Sequence, residues 1–270
     1  MAKLTSLHAG PDRPLPRLFV PDGLSPGAEV RLPERAARHI AVLRLRQDDE
    51  VSLFNGNGGQ YRAVLSSLGR DRSLARVVEF QPVERESPLT LNLAQCISSG
   101  DRMDTTLQKA TELGVSCIIP LASERSVVRL SAERAERRLE HWRSVVIAAC
   151  EQCGRNRVPE VQAVGELLPW LATSAPGMRM WLDPGAAQNA GDLKTTAPSS
   201  ITLLVGAEGG FAPHERSAIE RSGFLPIRLG PRTLRTETAP LAALAHVSAY
   251  VCALSRSGAA CPARLHPVSY

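Results

Sequence analysis

Lysine is nearly missing from this chain of 270 residues: of 32 basic residues only Lys3, Lys109 and Lys194 are lysine, and the other 29 are arginine. The planar arginine fork suits phosphate and stacks on bases, which fits a nucleic-acid partner; a genome that favours arginine codons gives the same bias. No stretch approaches the roughly 18 consecutive apolar residues of a membrane span, and the N-terminus lacks the apolar core of a signal peptide. A cytoplasmic protein with no membrane partner is expected. Cysteine is sparse, with six residues at positions 96, 117, 150, 153, 252 and 261 and none of the dense spacing of a secreted disulfide scaffold. Only Cys150-Glu-Gln-Cys153 has metal or redox spacing. It lacks a second ligand pair for zinc, and it falls late in a long helix, away from the N-terminal end where a thiolate is stabilised. The six histidines show no metal spacing, no Ser-His-Asp set is apparent, and His39 and His246 read as packing or surface residues. No metal is expected. Internal repeats, heptad seams and low-complexity tracts are also missing, as are a Gly-Lys-Ser/Thr phosphate loop and the dinucleotide pattern Gly-x-Gly-x-x-Gly.

What is present is enough apolar content, 43%, to bury a sizeable core, with a modest net charge of +5. Residues 1–15 are polar and rich in proline and glycine, and read as a flexible extension. Order is expected from Pro16-Arg-Leu-Phe-Val20. Apolar residues flank an Asn-Gly cluster between Val51 and Leu65, which is a hairpin signal, and Leu74 to Phe80 adds a strand. Pro33 to Leu43 reads as a short helix with a basic face. Residues 16–82 therefore form a β-rich domain, and the charged, proline-flanked stretch 83–88 reads as a linker. From residue 89 to 256 strands and helices alternate. Strands are expected at Leu89 to Ile97, Ser116 to Leu121, Met178 to Leu182, Ile201 to Val205 and Leu225 to Leu229. Helices are expected at Asp101 to Leu113, from Ser131 through Ala149, at Pro213 to Ser222 and at Thr238 to Leu254. Such alternation predicts an α/β fold with a mostly parallel sheet, followed by a tail at 257–270.

Two glycine-bearing stretches carry the functional signal: Leu203-Leu-Val-Gly-Ala-Glu-Gly-Gly-Phe211 and Leu229-Gly-Pro-Arg-Thr-Leu-Arg-Thr-Glu-Thr-Ala239. Each follows a predicted buried strand and leads into a helix, which is where open α/β sheets bind ligands. Gly206, Gly209 and Gly210 let backbone approach a ligand closely. Glu208 sets a carboxylate where a phosphate-binding turn wants none, so the ligand reads as nucleoside-like or cationic rather than a di- or triphosphate. Arg232, Arg235, Glu237 and two threonines crowd the second turn, and packing alone does not explain them.

Paired, these stretches resemble the RsmE family, the bacterial 16S ribosomal RNA uridine-N3 methyltransferases. Lys109-Ala-Thr-Glu-Leu-Gly-Val115, the Ser123-Glu-Arg-Ser126 turn, Glu151-Gln-Cys-Gly-Arg155 and Pro16-Arg-Leu-Phe-Val20 agree with it, so the resemblance covers about residues 16–255. It implies a PUA-like β-barrel over 16–82 and a SPOUT domain over 89–256 whose C-terminal part forms a trefoil knot. It also implies a homodimer, S-adenosylmethionine as cofactor, and 16S ribosomal RNA, within the small ribosomal subunit, as partner. By position, Leu204, Gly206, Glu208 and Gly209 would line the cofactor from the first loop, and Leu229, Gly230, Leu234 and Arg235 from the second. Arg235 would stabilise the anion formed at uridine N3 or orient the base. Glu237 would take the proton, or cap the last helix. Arg17, Arg44, Lys109, Arg125 and Arg155 would meet RNA. Family members usually carry proline where this chain has Ala207. Methylation of another RNA base, or RNA binding without catalysis on the same fold, are the alternatives.

Overall fold

The computed structural model describes residues 14–69, 72–126, 131–173, 177–192 and 198–258. Most of the expected N-terminal extension and the end of the tail thus lie outside the described residues. Two compact units emerge: residues 1–86 with 150–158, and residues 87–149 with 159–270.

The first unit contains β1 (Arg17–Phe19), β2 (Glu29–Arg31), α1 (Glu34–Leu43), β3 (Glu50–Phe54), β4 (Gln60–Ser67) and β5 (Leu74–Gln81). The strands form one sheet in the order β1-β3-β4-β5-β2, with β1 parallel to β3 and the other pairs antiparallel. One face carries Leu18, Val30, Val51, Leu53, Ala63, Leu65, Ala75 and Val77, and Ala36 and Ile40 of α1 complete the core. Among the described residues no ladder joins β2 to β1, so where a barrel was expected the hydrogen bonding is that of a sheet with two open edges.

The segment 150–158 belongs to this unit because its polar groups are satisfied there. Glu151 is buried; its Oε1 accepts from the Phe19 amide at 3.1 Å and its Oε2 from Arg35 at 3.1 Å. Arg155 donates to both oxygens of Glu86 at 3.0 and 2.5 Å, and Arg85 to the Gly154 carbonyl at 3.0 Å. Arg17 donates to Gln60, to Asn156 and to the Arg155 carbonyl at 2.7, 2.7 and 2.9 Å, with its guanidinium over the Phe54 ring. Burial first, then the charge of Arg85, pull the Arg17 guanidinium down to about 10. The stretch expected to be a linker is likewise engaged: Glu84 accepts from the Gly59 amide at 2.5 Å, and Asn156 donates to the Val83 carbonyl at 2.5 Å. Burial pushes the Cys150 thiol up to about 12, the state of an inert thiol.

The second unit runs through β6 (Thr90–Cys96), α2 (Gly100–Glu112), β7 (Cys117–Ala122), α3 (Ala132–Cys153) as far as Ala149, β8 (Glu160–Val161), β9 (Gly165–Glu166), α4 (Leu167–Leu171) and β10 (Met178–Leu182). A one-turn 3₁₀ helix (Ala190–Asp192), β11 (Ser200–Val205), α5 (Pro213–Arg221), β12 (Leu225–Ile227) and α6 (Thr238–Gly258) follow. The sheet order is β12-β10-β11-β6-β7-β8, and every pair in it is parallel; β9 also pairs with β7. Near-continuous burial along β6, β7 and β11 is what a parallel sheet covered on both faces requires. The last helix continues past the expected end at Leu254 to Gly258, while β12 stops at Ile227, two residues before Leu229. No helix among the described residues is long and apolar enough to cross a membrane.

Candidate functional site

β12, β10, β11 and β6 lie side by side and parallel, so their C-terminal ends share one edge of the sheet. The turns beyond β10, β11 and β12, with Arg102 from the helix that follows β6, enclose a cavity of about 400 Å³, within the range of small-molecule sites. Its lining mixes apolar side chains, among them Val205, Phe211, Ile227 and Leu234, with charges of both signs.

The wall after β11 is shaped by packing and capping. Ala207, where proline is usual in the family resembled, is buried in the core with Phe211, and the Gly210 amide closes a turn onto its carbonyl at 2.9 Å. Glu215 starts α5: its Oε2 accepts from the Ala212 amide and its Oε1 from the Glu124 amide, each at 2.8 Å. That carboxylate therefore ties this wall to the Ser123–Ser126 turn. Gly209 lies under that turn, where an added Cβ would sit 2.9 Å from Arg125 Cβ and 3.2 Å from its carbonyl oxygen. Its function is close packing, and it is not part of the cavity lining. Leu204 is fully buried in the core and also does not line the cavity. Gly206 and Glu208 do line it.

The wall after β12 supplies Leu229, Gly230, Leu234, Arg235 and Glu237 to the lining. Gly230 adopts φ of +75°, a left-handed conformation that favours glycine, and nothing lies within 4 Å of where its Cβ would be. Thr236 stitches the two walls: its hydroxyl donates to the Gly206 carbonyl at 2.7 Å and accepts from Gln95 at 3.3 Å. The Arg235 carbonyl accepts the Thr238 and Ala239 amides, so Arg235 sits at the entry to α6. Arg228, Arg232 and Arg235 are exposed around the cavity and make no ion pair among the described residues.

Glu208 is held by the start of α2. The Ser99 amide and hydroxyl donate to its Oε1 at 3.1 and 3.0 Å, and Arg102 at 2.9 Å. Burial raises its carboxyl, but the Ser99 amide, its own amide, Arg102 and the Ser99 hydroxyl outweigh that and hold it below the ordinary range. Sequence reasoning missed Arg102, and it missed the cluster after β10. There buried Asp183 takes Arg216 through both oxygens at 3.2 and 2.6 Å, and that guanidinium lies 4.9 Å over the Trp181 ring. The strand Met178–Leu182 was the only signal, and nothing local marked the turn after it as part of the site.

The residues expected to meet RNA divide. Arg155 is 5% exposed and committed to Glu86, and Arg17 is committed to Gln60, Asn156 and the Arg155 carbonyl. The donors of both organise the first unit. Arg44 is exposed at the left-handed end of α1, Arg125 is exposed and donates to the Gly209 carbonyl at 3.2 Å, and Lys109 pairs with Glu112 at 2.8 Å.

Comparison with known proteins agrees with this geometry. Residues 85–248 match the family described as RNA methyltransferase domain, and residues 32–78 the RNA methyltransferase PUA domain. The chain is 33% identical over 232 residues to ribosomal RNA small subunit methyltransferase E of Buchnera aphidicola subsp. Schizaphis graminum, covering 85% of this chain and 94% of that one. It is 42% identical, with a TM-score of 0.83, to the crystal structure of a ribosomal RNA small subunit methyltransferase E from Neisseria gonorrhoeae bound to S-adenosylmethionine, covering 87% and 98% of the two chains. A Legionella pneumophila protein solved with the bound cofactor SAM is 36% identical with a TM-score of 0.84, over 87% of this chain and 98% of that one. The chain belongs to the ribosomal RNA small subunit methyltransferase E family.

Proposed function

We propose that the protein transfers a methyl group from S-adenosylmethionine to N3 of a specific uridine in 16S ribosomal RNA. The observation that carries this reading is the cavity closed by both glycine-bearing loops and joined through Thr236, in a chain whose relatives include S-adenosylmethionine-bound methyltransferases. The lining fits such a cofactor: apolar side chains suit an adenine ring, carboxylates suit cationic groups, and Gly230 leaves backbone uncovered for close approach. Gly206, Glu208, Leu229, Gly230, Leu234 and Arg235 would hold it. When bound, the cofactor supplies an electrophilic methyl on a sulfonium.

The protein's own task is to align and deprotonate the acceptor. Uridine N3–H is a weak acid, so its proton must leave and the anion must be stabilised. Arg235, exposed at the cavity without an ion-pair partner among the described residues, stabilises that anion, and Glu237 takes the proton. N3 is hidden in a base pair, so the target uridine is unpaired or flipped out. Holding donor and acceptor in line within a partly dry cavity supplies much of the rate. Arg44, Lys109 and Arg125 remain as RNA contacts, with Arg228 and Arg232 added at the cavity.

We also read the crossing of the second unit as a trefoil knot. The support is that the loop after edge strand β12 returns to hydrogen-bond Gly206 at the end of β11, and the chain then continues into α6 against α2. Assembly as a homodimer, action on the small ribosomal subunit and residence in the cytoplasm complete the reading. Calorimetry of the purified protein with S-adenosylmethionine, followed by transfer of labelled methyl to small subunits lacking the modification, tests it. Saturable binding and label in 16S RNA are expected; absence of binding at millimolar cofactor overturns it.

A further inference from the structure

Arg102 belongs to neither loop motif, yet among the described residues it is the one guanidinium within 4 Å of carboxylates from both. Its Nη1 donates to Glu208 Oε1 at 2.9 Å, and its Nε lies 3.8 Å from Glu237 Oε2. That Glu237 oxygen is buried and accepts no hydrogen bond among the described residues. A buried carboxylate oxygen without a donor is costly unless a neighbouring charge compensates it, and among the described residues Arg102 is the one cation placed to do so. On the other side, Ser99, just before α2, gives Glu208 its amide and its hydroxyl. The first turn of α2 thus meets both walls of the cavity.

We propose that Arg102 is a positioning residue that pins both walls to α2, setting the cofactor wall through Glu208 and the proton acceptor through Glu237. The inference rests on the reading of this cavity as the S-adenosylmethionine site with Glu237 taking the proton. The two contacts are separable because they use different edges of a planar fork. A lysine ammonium is a point charge on a flexible stem and replaces one contact at a time. The side chain of Arg102 is 41% exposed, so its ion pairs contribute little to folding and its loss is felt in the loops it orders.

The test is calorimetric affinity for S-adenosylmethionine, and kcat at saturating cofactor and RNA, in the wild type, Arg102→Ala, Arg102→Lys, Glu208→Ala and the double Arg102→Ala/Glu208→Ala variant, with unfolding midpoints recorded. Arg102→Ala is expected to weaken cofactor binding about tenfold, and the double variant to bind no worse than the weaker single one, because coupled partners are non-additive. Arg102→Lys is expected to keep affinity within about threefold while kcat falls about tenfold, since the ammonium retains Glu208 and releases Glu237. Wild-type affinity and turnover in Arg102→Ala overturn the clamp. So do additive effects of the two single changes, or equal losses of affinity in Arg102→Lys and Arg102→Ala. A wild type that binds no cofactor overturns the site reading itself, and the clamp with it; this is seen before any variant is compared.

Discussion

Glu208 shows how much of this site is decided by single residues outside the motifs. Its burial opposes ionisation, yet four donors, from Ser99, its own backbone and Arg102, hold it ionised below the ordinary carboxylate range. A carboxyl whose folded pKa lies below its unfolded value stabilises the fold above the unfolded value, about 4.3 for Glu, and that contribution is lost as pH falls through the folded pKa. Chemical denaturation of the wild type and Glu208→Gln across a pH series is therefore expected to show the largest stability gap near neutrality, closing as the solution is acidified below about pH 4. A gap that stays constant with pH contradicts this. The motif disclosed Glu208 but not its partners, because Ser99 and Arg102 are about a hundred residues earlier and carry no local signal of that contact. Leu203 and Leu204 are both buried in a strand covered on two faces, so alternation along the sequence does not tell which side of the sheet either one faces.

Elements were legible where they were long and patterned. The strands β6, β7, β10 and β11 and the helices α2 and α5 fall where periodicity and turn residues put them. The two- and three-residue strands β2, β8 and β9 did not, since two or three residues hold no period. The end of α3 is the instructive failure. Glu151 to Arg155 reads as a functional motif, yet it is consumed in satisfying the first unit: Glu151 by Phe19 and Arg35, Arg155 by Glu86. Removing one partner of a buried ion pair costs about 3–5 kcal/mol. Arg155→Ala is therefore expected to lower stability toward that range in urea titration, with RNA affinity falling only in step with the folded fraction. Weakened RNA binding at unchanged stability would restore Arg155 to the RNA-contacting set.

At the scale of the whole molecule, the α/β class, the parallel sheet and the two-loop cavity followed from strand-to-helix alternation and the glycine turns, and family membership from their pairing. The return of 150–158 to the first unit could not be read along the chain, because it depends on buried polar groups finding partners far away in sequence. The same holds for the cavity, whose three contributing turns follow strands that are neighbours only in the sheet. All of these parts converge on one chemical outcome. The most direct measurement is mass spectrometry of nucleosides from 16S RNA after small subunits lacking the modification are incubated with the protein and S-adenosylmethionine. The account predicts 3-methyluridine at a single position, lost with Glu237→Gln; no methylated nucleoside, or methylation on a base other than uridine, contradicts it.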